Sequence, residues 1–415
     1  MARLRNVIIG ISLLLGVSQP VTASNLFSLQ DLNYKGAMRI PVGVYGESRM
    51  GFANGTFTVD PSNNSFFIVG HQHQQAIAEF KIAGFGISES VIDLPMAPPP
   101  IQEFSIVLDR PPTGNYQELN RITGLELIGG SLVVNAAASY DGNADNTHTT
   151  MIIEDPSNLK DSAIKGYAEL DSKVHSAGWM TSIPRHLQDD FNANYLFGFA
   201  SNLSINARSS IGPTAFAVRS DDVLSAGSGE TIPTVPLMDF SINNRLHDDL
   251  TNTSGTNDLW TEVSNAYIGF IVPGTDTYAV FGTSGGHESG IGYKIKQDTG
   301  TLCAGYCPHI ASDVYNYYWL WNIQDFLKVK NGELKPYEVK PYEYGSFVVP
   351  HQGGSDNSVP KLINAVSFDS ENNRLYFILG AADGFQSKYE NAPLMLSYEV
   401  NVGQRPNSPT NLVIE

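Results

Sequence analysis

Short apolar runs alternate with turn-rich segments along the chain, and one such pattern occurs twice in nearly the same form. Residues 60–70 read DPSNNSFFIVG, and residues 369–380 read DSENNRLYFILG. In each segment an aspartate is followed by two asparagines, a run of large apolar residues and a glycine. Aspartate and asparagine favour tight turns, and a short apolar run is typical of a buried strand. The pattern predicts a hairpin whose second strand is buried.

Weaker copies of this pattern lie between the two. They are GGSLVVNAAA at 129–138, NANYLFGFAS at 192–201 and PGTDTYAVFGTSGG at 273–286. A candidate first strand precedes each of the five copies: Gly55–Val59, Ile122–Leu127, Gly178–Ile183, Ala266–Val272 and Ala365–Phe368. A candidate third strand follows each: Ala76–Ile82, Thr149–Ile153, Thr214–Val218, Tyr317–Ile323 and Met395–Val400. Long amphipathic helical patterns are scarce, so the fold class is all-β.

Five repeats of one strand pattern predict a β-propeller of about five blades. A four-stranded blade takes roughly 40–50 residues, and the spacing of the copies leaves room for long loops. The last unit lacks a fourth strand before the chain ends. The segment Leu29–Ile40 can supply this strand from the N-terminus, which closes the ring and removes an open sheet edge. Tandem β-sandwiches are the alternative fold, because short strands with turn signals fit both architectures.

In this repeat rhythm, over about residues 30–400, the chain resembles secreted bacterial-type β-propeller proteins. It is closest in style to five-bladed carbohydrate-active propellers. The resemblance implies a relation in fold to glycoside hydrolases of the arabinanase and fructosidase type and to sugar-binding lectins. It concerns the fold alone and transfers no catalytic residue to this chain.

The first 23 residues have the layout of a secretory signal. Arg3 and Arg5 form a positive start, an apolar core of about 11 residues follows, and Val21-Thr22-Ala23 is a small-residue cleavage site. An uncleaved anchor is the alternative, but the apolar core is shorter than the roughly 20 residues that a spanning helix needs. We predict a signal peptide at 1–23, a propeller at 24–403 and a polar C-terminal tail or linker at 404–415. The mature chain is expected to be secreted or periplasmic, with no membrane span.

The charge balance limits the classes of partner that the protein can bind, and the two cysteines predict a covalent link. The formal net charge is −17, with 42 acidic against 25 basic residues. This balance argues against nucleic acid, whose binding needs clustered lysine and arginine. The two cysteines, Cys303 and Cys307, lie in CAGYC, and outside the cytoplasm so close a pair indicates a disulfide. We expect a monomer whose partner is a polysaccharide or oligosaccharide.

In a propeller, the loops that follow the second strand of each blade open on one face, near the central channel. These loops carry four of the nine histidines and several carboxylates. We therefore place the candidate site on this face. Four side chains are expected to bind substrate there: His71, His73, Arg208 and Gln386.

Glycoside hydrolysis is the first chemistry that this face could support. It needs two carboxyl groups about 5–9.5 Å apart. Glu288 is our candidate acid, beside His287, and Asp141 or Asp383 is the candidate base or nucleophile. The alternative is that all of them are ordinary loop carboxylates.

Metal binding is the second chemistry. His71 and His73 are two residues apart and share one side of an extended strand, so with His148 they could hold a transition metal. In DGNADN, Asp141, Asn143 and Asp145 offer oxygen ligands at alternate positions, as in the start of a calcium loop. An aspartate-rich turn without an ion explains this segment equally well. No cofactor is expected to be required, and calcium or a transition metal is the possible addition.

The third chemistry is a polysaccharide lyase reaction, with Tyr140 or a histidine as base and Arg208 as cationic partner. The leading hypothesis is an extracellular carbohydrate-active protein, possibly a glycoside hydrolase with its site on the loop face. Its alternatives are a non-catalytic propeller that binds sugar or protein at the cell surface, and the lyase. Hydrolysis is favoured over the lyase reaction if the protein is an enzyme.

Overall fold

The computed structural model describes residues 25–53, 55–200, 210–353, 359–387 and 389–401. The predicted signal peptide and the predicted tail at 404–415 lie outside these residues. Within them, three short α-helices occur besides five single-turn 3-10 helices: α1 (Gln188–Phe191), α2 (Ser220–Ser225) and α3 (Ile323–Lys330). None of the described helices has the length and apolar character that a membrane crossing needs.

The N-terminal segment and the first two blades consist of strands, loops and three single-turn 3-10 helices, Leu29–Asp31, Val91–Asp93 and Pro156–Asn158. The segment contains β1 (Leu32–Arg39), β2 (Val44–Tyr45) and β3 (Ser48–Arg49). Blade 1 consists of β4 (Phe57–Asp60), β5 (Ser65–Val69), β6 (Ala76–Lys81) and β7 (Gln102–Ile106). Blade 2 consists of β8 (Arg121–Ile128), β9 (Ser131–Ala137), β10 (His148–Ile153) and β11 (Ile164–Leu170). Strands within each blade are antiparallel neighbours in sequence order.

The remaining blades repeat this meander with insertions. Blade 3 consists of β12 (Met180–Ser182), β13 (Tyr195–Phe197), β14 (Ala215–Val218) and β16 (Val235–Met238), while β15 (Thr231–Ile232) pairs in parallel with β11 of blade 2. Blade 4 consists of β17 (Asn265–Ile271), β18 (Thr277–Gly285), β21 (Val314–Asn322) and β22 (Glu343–Phe347), with a small hairpin of β19 (Ile291–Tyr293) and β20 (Tyr306–Pro308) inserted. Cys303 and Cys307 form the predicted disulfide beside this hairpin.

Blade 5 combines both ends of the chain. It consists of β23 (Ile363–Asp369), β24 (Arg374–Asp383), β25 (Ala392–Val400) and, outermost, β1. Strand β1 runs antiparallel to β25, from Leu32 opposite Val400 to Arg39 opposite Leu394. The five innermost strands, β4, β8, β12, β17 and β23, contact one another in a ring. The five-bladed propeller with N-terminal closure is therefore confirmed, and tandem sandwiches are not the fold.

The two nearly identical sequence motifs form matching turns. Asp60 Oδ1 accepts the backbone N–H groups of Ser62 and Asn63, and Asp369 Oδ1 accepts those of Glu371 and Asn372. The second asparagine of each pair has a positive φ, 48° in Asn64 and 51° in Asn373, a region in which asparagine is well tolerated. The repeat thus encodes the connection from the innermost to the second strand of blades 1 and 5.

The apolar core lies between neighbouring blades. Phe66 of blade 1, Val134 of blade 2 and Phe281 of blade 4 are fully buried in separate inter-blade clusters. The aromatic run at 315–321 belongs to this core rather than to the surface, because Trp319 and Trp321 are fully buried. Each sheet therefore packs face to face against its neighbours, as burial of both faces of an inner strand requires.

Candidate functional site

We use the term channel mouth for the end of the central channel at which the innermost strands begin. The loops that follow the second strand of each blade also open at this end. Hydrogen bonds tie three chain segments together there. Phe52 N donates to Glu390 O at 3.0 Å, and His71 N donates to Arg49 O at 2.8 Å. Blades 5 and 1 and the N-terminal segment therefore share one surface.

Three of the five innermost strands carry a β-bulge close to the channel mouth. In β8 the pairing passes from Ile122 to Gly124, in β17 from Ala266 to Ile268, and in β23 from Ile363 to Ala365. The extra residues are Thr123, Tyr267 and Asn364, and all three line the channel. A bulge redirects a side chain and locally ends regular pairing, and bulges are over-represented beside binding and active sites. Three bulges at equivalent positions therefore mark this end of the channel as a built site.

The channel is narrow and of mixed polarity. Its cavity measures about 130 Å³, and its wall includes Phe57, Trp179 and Phe368 beside polar side chains. An engineered cavity of about 150 Å³ holds one benzene molecule. A cavity of this size admits one small group, such as a substituent of a larger ligand that stays at the channel mouth.

Polar groups at the channel mouth are only partly satisfied by the protein. Asn364 Nδ2 donates to Ala53 O at 3.4 Å, while the buried Asn364 Oδ1 has no hydrogen-bond partner among the described residues. Arg121 Nη1 donates to the carbonyl oxygens of Gln72 and Asn120 at 3.0 and 2.8 Å. A buried acceptor without a partner costs free energy, which a ligand donor could recover.

Aromatic rings form the rim of the channel mouth. Phe52, at a positive φ of 53°, is 38% exposed and meets the His71 ring edge-on at 6.0 Å. The rings of His71 and His73 are 5.4 Å apart. Burial lowers the pKa of His71, and the charges of Arg49 and His73 lower it further. Because His71 Nδ1 accepts the His73 backbone N–H at 3.2 Å, the proton of the neutral ring lies on Nε2.

Glu126 is the carboxylate of the channel wall. It lies deeper than Arg121 on the same strand, β8, and accepts a hydrogen bond from Thr58 Oγ1 at 3.2 Å. Burial raises its pKa, the Thr58 hydroxyl partly opposes this shift, and the negative charge of Asp369 adds to it, so that the net pKa is about 8. Glu126 is therefore largely protonated at pH 7.

Two of the residues predicted from sequence hold the N-terminal strand in place. Asp383, which is fully buried, pairs with Arg39 at 2.8 Å and also accepts a hydrogen bond from Gln386 Nε2. Gln386 further donates to Ile40 O and accepts from Val42 N. Both side chains are thus engaged in closing the propeller.

The predicted residues of the blade 2 loop form a capped turn. The two carboxylate oxygens of Asp141 accept the backbone N–H groups of Asp145 and Asn146, at 3.2 and 3.0 Å. Asn143 and the Asp145 side chain are exposed, and Tyr140 is 66% exposed on the same loop. This geometry is that of an aspartate-capped loop.

The predicted pair His287 and Glu288 belongs to blade 4. His287 lies against Tyr315 and Tyr317, with ring centroids 5.8 and 5.1 Å away, and its Nδ1 contacts Asn257 O at 3.0 Å. Glu288 is exposed, and the pKa of Tyr315 is raised by burial and by the charges of Asp313 and Glu288. Neither member of this pair lines the channel.

The predicted metal ligands are spread over two places. His71 and His73 lie at the channel mouth, whereas His148 contacts Thr147 Oγ1 and the ring of Tyr116 in blade 2. In the described part of the chain, no three His, Cys, Asp or Glu side chains are grouped to hold a metal ion. Arg208 lies outside the described residues.

Sequence reasoning missed the bulged residues, Arg121 and Glu126. A partial signal exists, because Thr123 and Glu126 interrupt the apolar residues of β8 and Asn364 interrupts those at the start of β23. The strand alternation alone does not reveal a bulge, which is visible only once the partner strand is known.

Comparisons with known proteins extend to the fold alone. No protein-family model and no curated protein matches the chain. A solved structure of the GH130 family, described as containing mannoside phosphorylases and glycoside hydrolases that target β-1,2-mannosidic linkages in Candida mannan, is similar at TM-score 0.41 and 10% identity, covering 90% of this chain and 96% of that one. A glycosyl hydrolase from Bacteroides ovatus is similar at TM-score 0.38 and 11% identity, covering 88% and 94%. The WD40 repeats of RRP9 are similar at TM-score 0.29 and 11% identity, covering 90% and 99%.

Proposed function

We propose that this protein is a carbohydrate-binding propeller that works outside the cytoplasm and holds glycans at the channel mouth. The observation that carries the proposal is the set of three bulges that direct Thr123, Tyr267 and Asn364 into the channel. The Thr123 hydroxyl donates to Ala177 O, and the Tyr267 hydroxyl contacts Thr283 Oγ1 at 3.4 Å. A hydroxyl oxygen and an amide oxygen each have further acceptor capacity, which matches the donor capacity of sugar hydroxyls. A small number of placed polar groups within an otherwise apolar wall is typical of ligand sites.

The rim of the channel mouth supports the same proposal. Phe52 exposes part of its ring beside His71 and His73. Aromatic rings bury large apolar areas, and they can stack on the C–H face of a sugar while neighbouring polar groups bond its hydroxyls. The predicted signal peptide at 1–23 and the disulfide support a site of action outside the cytoplasm.

Binding without hydrolysis is supported by the state of the predicted catalytic carboxylates. Asp383 is neutralised by Arg39, and Asp141 caps a loop. Glu288 lies in blade 4, away from the channel wall. A glycosidase needs two carboxyl groups on opposite sides of one bond, and these three belong to separate hydrogen-bond networks.

Hydrolysis is a second candidate because of one observation, the raised pKa of Glu126. A carboxyl group that keeps its proton at neutral pH is suited to act as a general acid. The nearest charge that perturbs it, Asp369, has both oxygens engaged by its own turn. Asp369 is therefore not free to act as the nucleophile or base that a general acid at Glu126 would need.

The test is a panel of polysaccharides presented to the purified mature chain. Retardation in gels containing each polymer measures binding, and new reducing ends and new unsaturated products are measured in parallel. We expect retardation by at least one polymer without either product. New reducing ends that disappear in Glu126→Gln would establish the hydrolase instead, and unsaturated products would establish a lyase.

Location is tested separately. Fractionation of the source cells, followed by N-terminal sequencing of the recovered protein, should give a chain that begins at Ser24. A full-length chain confined to the cytoplasm would overturn this part of the proposal.

A further inference from the structure

Arg121 is a half-buried arginine on the channel wall that pairs with no carboxylate among the described residues. Only its Nη1 is used, in bonds to two backbone carbonyls. Arg110 shows the contrast, because both of its terminal nitrogens donate to carbonyls, those of Leu159 and Ser162. Both terminal nitrogens of Arg110 are therefore hydrogen-bonded within the protein. By contrast, Nε and Nη2 of Arg121 have no partner in the described part of the chain.

The described groups around Arg121 leave its positive charge uncompensated, although the chain has a net charge of −17. Gln72, whose carbonyl accepts from Arg121, lies between His71 and His73. Arg49 contributes a second positive charge close to His71, and Glu390 offsets it through an ion pair of 3.3 Å. The Arg121 charge is therefore the one left without a compensating carboxylate among these described groups.

The chemistry of the unused groups identifies a ligand. The planar guanidinium fork matches a carboxylate in a two-point arrangement, which is stronger and more directional than a neutral hydrogen bond. Asn364 Oδ1, on the same channel wall, accepts no hydrogen bond from the part of the chain that the structure describes. A sugar that carries both a carboxylate and hydroxyl groups would satisfy the two together. The cavity of about 130 Å³ accepts such a substituent, while the ring stays at the mouth.

Resting on the proposed function, we infer that the glycan is acidic: the channel mouth binds a uronate residue, with Arg121 on its carboxylate and Asn364 on a hydroxyl. The net negative charge of the protein weakens binding to most anionic polymers. Preference for an acidic glycan therefore depends on the local positive charge of Arg121 rather than on the overall electrostatic field of the protein.

The experiment compares polygalacturonate with its methyl ester, which removes the charge and keeps the sugar. We expect the wild-type chain to bind polygalacturonate at least tenfold more tightly than the ester. Arg121→Gln should lose roughly tenfold or more for the acid form and little for the ester, because a charge-assisted bond is lost. Arg121→Lys should lie between the two, since it keeps the charge but not the fork.

Arg185→Gln is the matched control, because Arg185 is exposed in the loop between β12 and β13, on the opposite face. Circular dichroism and the Tm of each variant establish that it is folded. Equal binding of the acid and the ester, or an unchanged affinity of folded Arg121→Gln, would overturn the uronate assignment while glycan binding stands. Failure to bind any polymer would overturn the proposed function as well.

Discussion

Arg39 and Asp383 join the two ends of the chain across blade 5. Arg39 Nε lies 2.8 Å from Asp383 Oδ2, and Nη2 lies 3.2 Å from Oδ1. The side chain of Asp383 is fully buried and that of Arg39 is 11% exposed. This two-point ion pair connects the outermost strand β1 with the end of β24, and so fixes the closure of the ring.

Removing one partner of the Arg39–Asp383 ion pair should destabilise the whole propeller. Arg39→Met leaves a buried carboxylate unpaired, a change that typically costs about 3–5 kcal/mol. Urea unfolding measures the loss. Lys35→Gln is the control, because Lys35 also links β1 to blade 5, through Glu399, but both side chains are 33% exposed. The free energy of unfolding of Lys35→Gln should fall by no more than about 1 kcal/mol. Equal losses of unfolding free energy in the two variants would contradict the role of the Arg39–Asp383 ion pair in closing the ring.

Glu126 should make stability fall as the pH rises. Its pKa is raised to about 8 in the folded chain from an ordinary value of 4.5, so the folded state holds more protons between these values. Stability that depends on this proton is present below pH 4.5 and is lost as the pH rises through 8. Glu126→Gln removes the ionisation.

The measurement is Tm against pH for the wild type and Glu126→Gln. The difference in Tm between the variant and the wild type should grow from pH 5 to pH 9 in favour of the variant. Glu371→Gln, in the exposed turn between β23 and β24, is the control for loss of one acidic group. A difference that stays constant with pH would show that Glu126 has an ordinary pKa.

Gly124 should tolerate no side chain. A Cβ placed there would lie 1.8 Å from Gly178 O, so the innermost strands of blades 2 and 3 approach each other backbone to backbone. Gly124→Ala should therefore cost more than about 2 kcal/mol through overpacking. Gly305→Ala is the control, because a Cβ there meets nothing within 4 Å. Thermal unfolding of both variants decides the matter, and an unchanged Tm in Gly124→Ala would contradict this packing.

Asn364 should contribute directly to glycan binding. Its buried Oδ1 has no partner within the described ranges, so Asn364→Ala removes an acceptor that a ligand hydroxyl would use. Affinity for any bound polysaccharide should fall about three- to tenfold, as expected for one neutral hydrogen bond. Asn33→Ala, at an exposed position on β1, should have no effect. Unchanged affinity in a folded Asn364→Ala would place the glycan elsewhere on the surface.

Much of the fold could be predicted because its signals are local. The aspartate and asparagine residues of 60–64 and 369–373 encode turns through hydrogen bonds within a few residues. The candidate site was harder to predict, because its groups come from separate blades. Histidines and carboxylates in loops were visible in the sequence, yet Asp383 is bonded to Arg39, a residue 344 positions away.

The sequence by itself determined the all-β class, the five repeats, the N-terminal closing strand and the close disulfide. Each of these depends on composition, on strand period or on neighbours in the chain. The tertiary structure alone decided which polar groups form hydrogen bonds within the protein and which are available to a ligand. Bulges at Thr123, Tyr267 and Asn364 arise from the pairing of two strands. Arg121 bonds only backbone carbonyls in the described part of the chain, because no described carboxylate lies within ion-pair distance of it. Such properties belong to relations between distant segments, so no single stretch of sequence contains them.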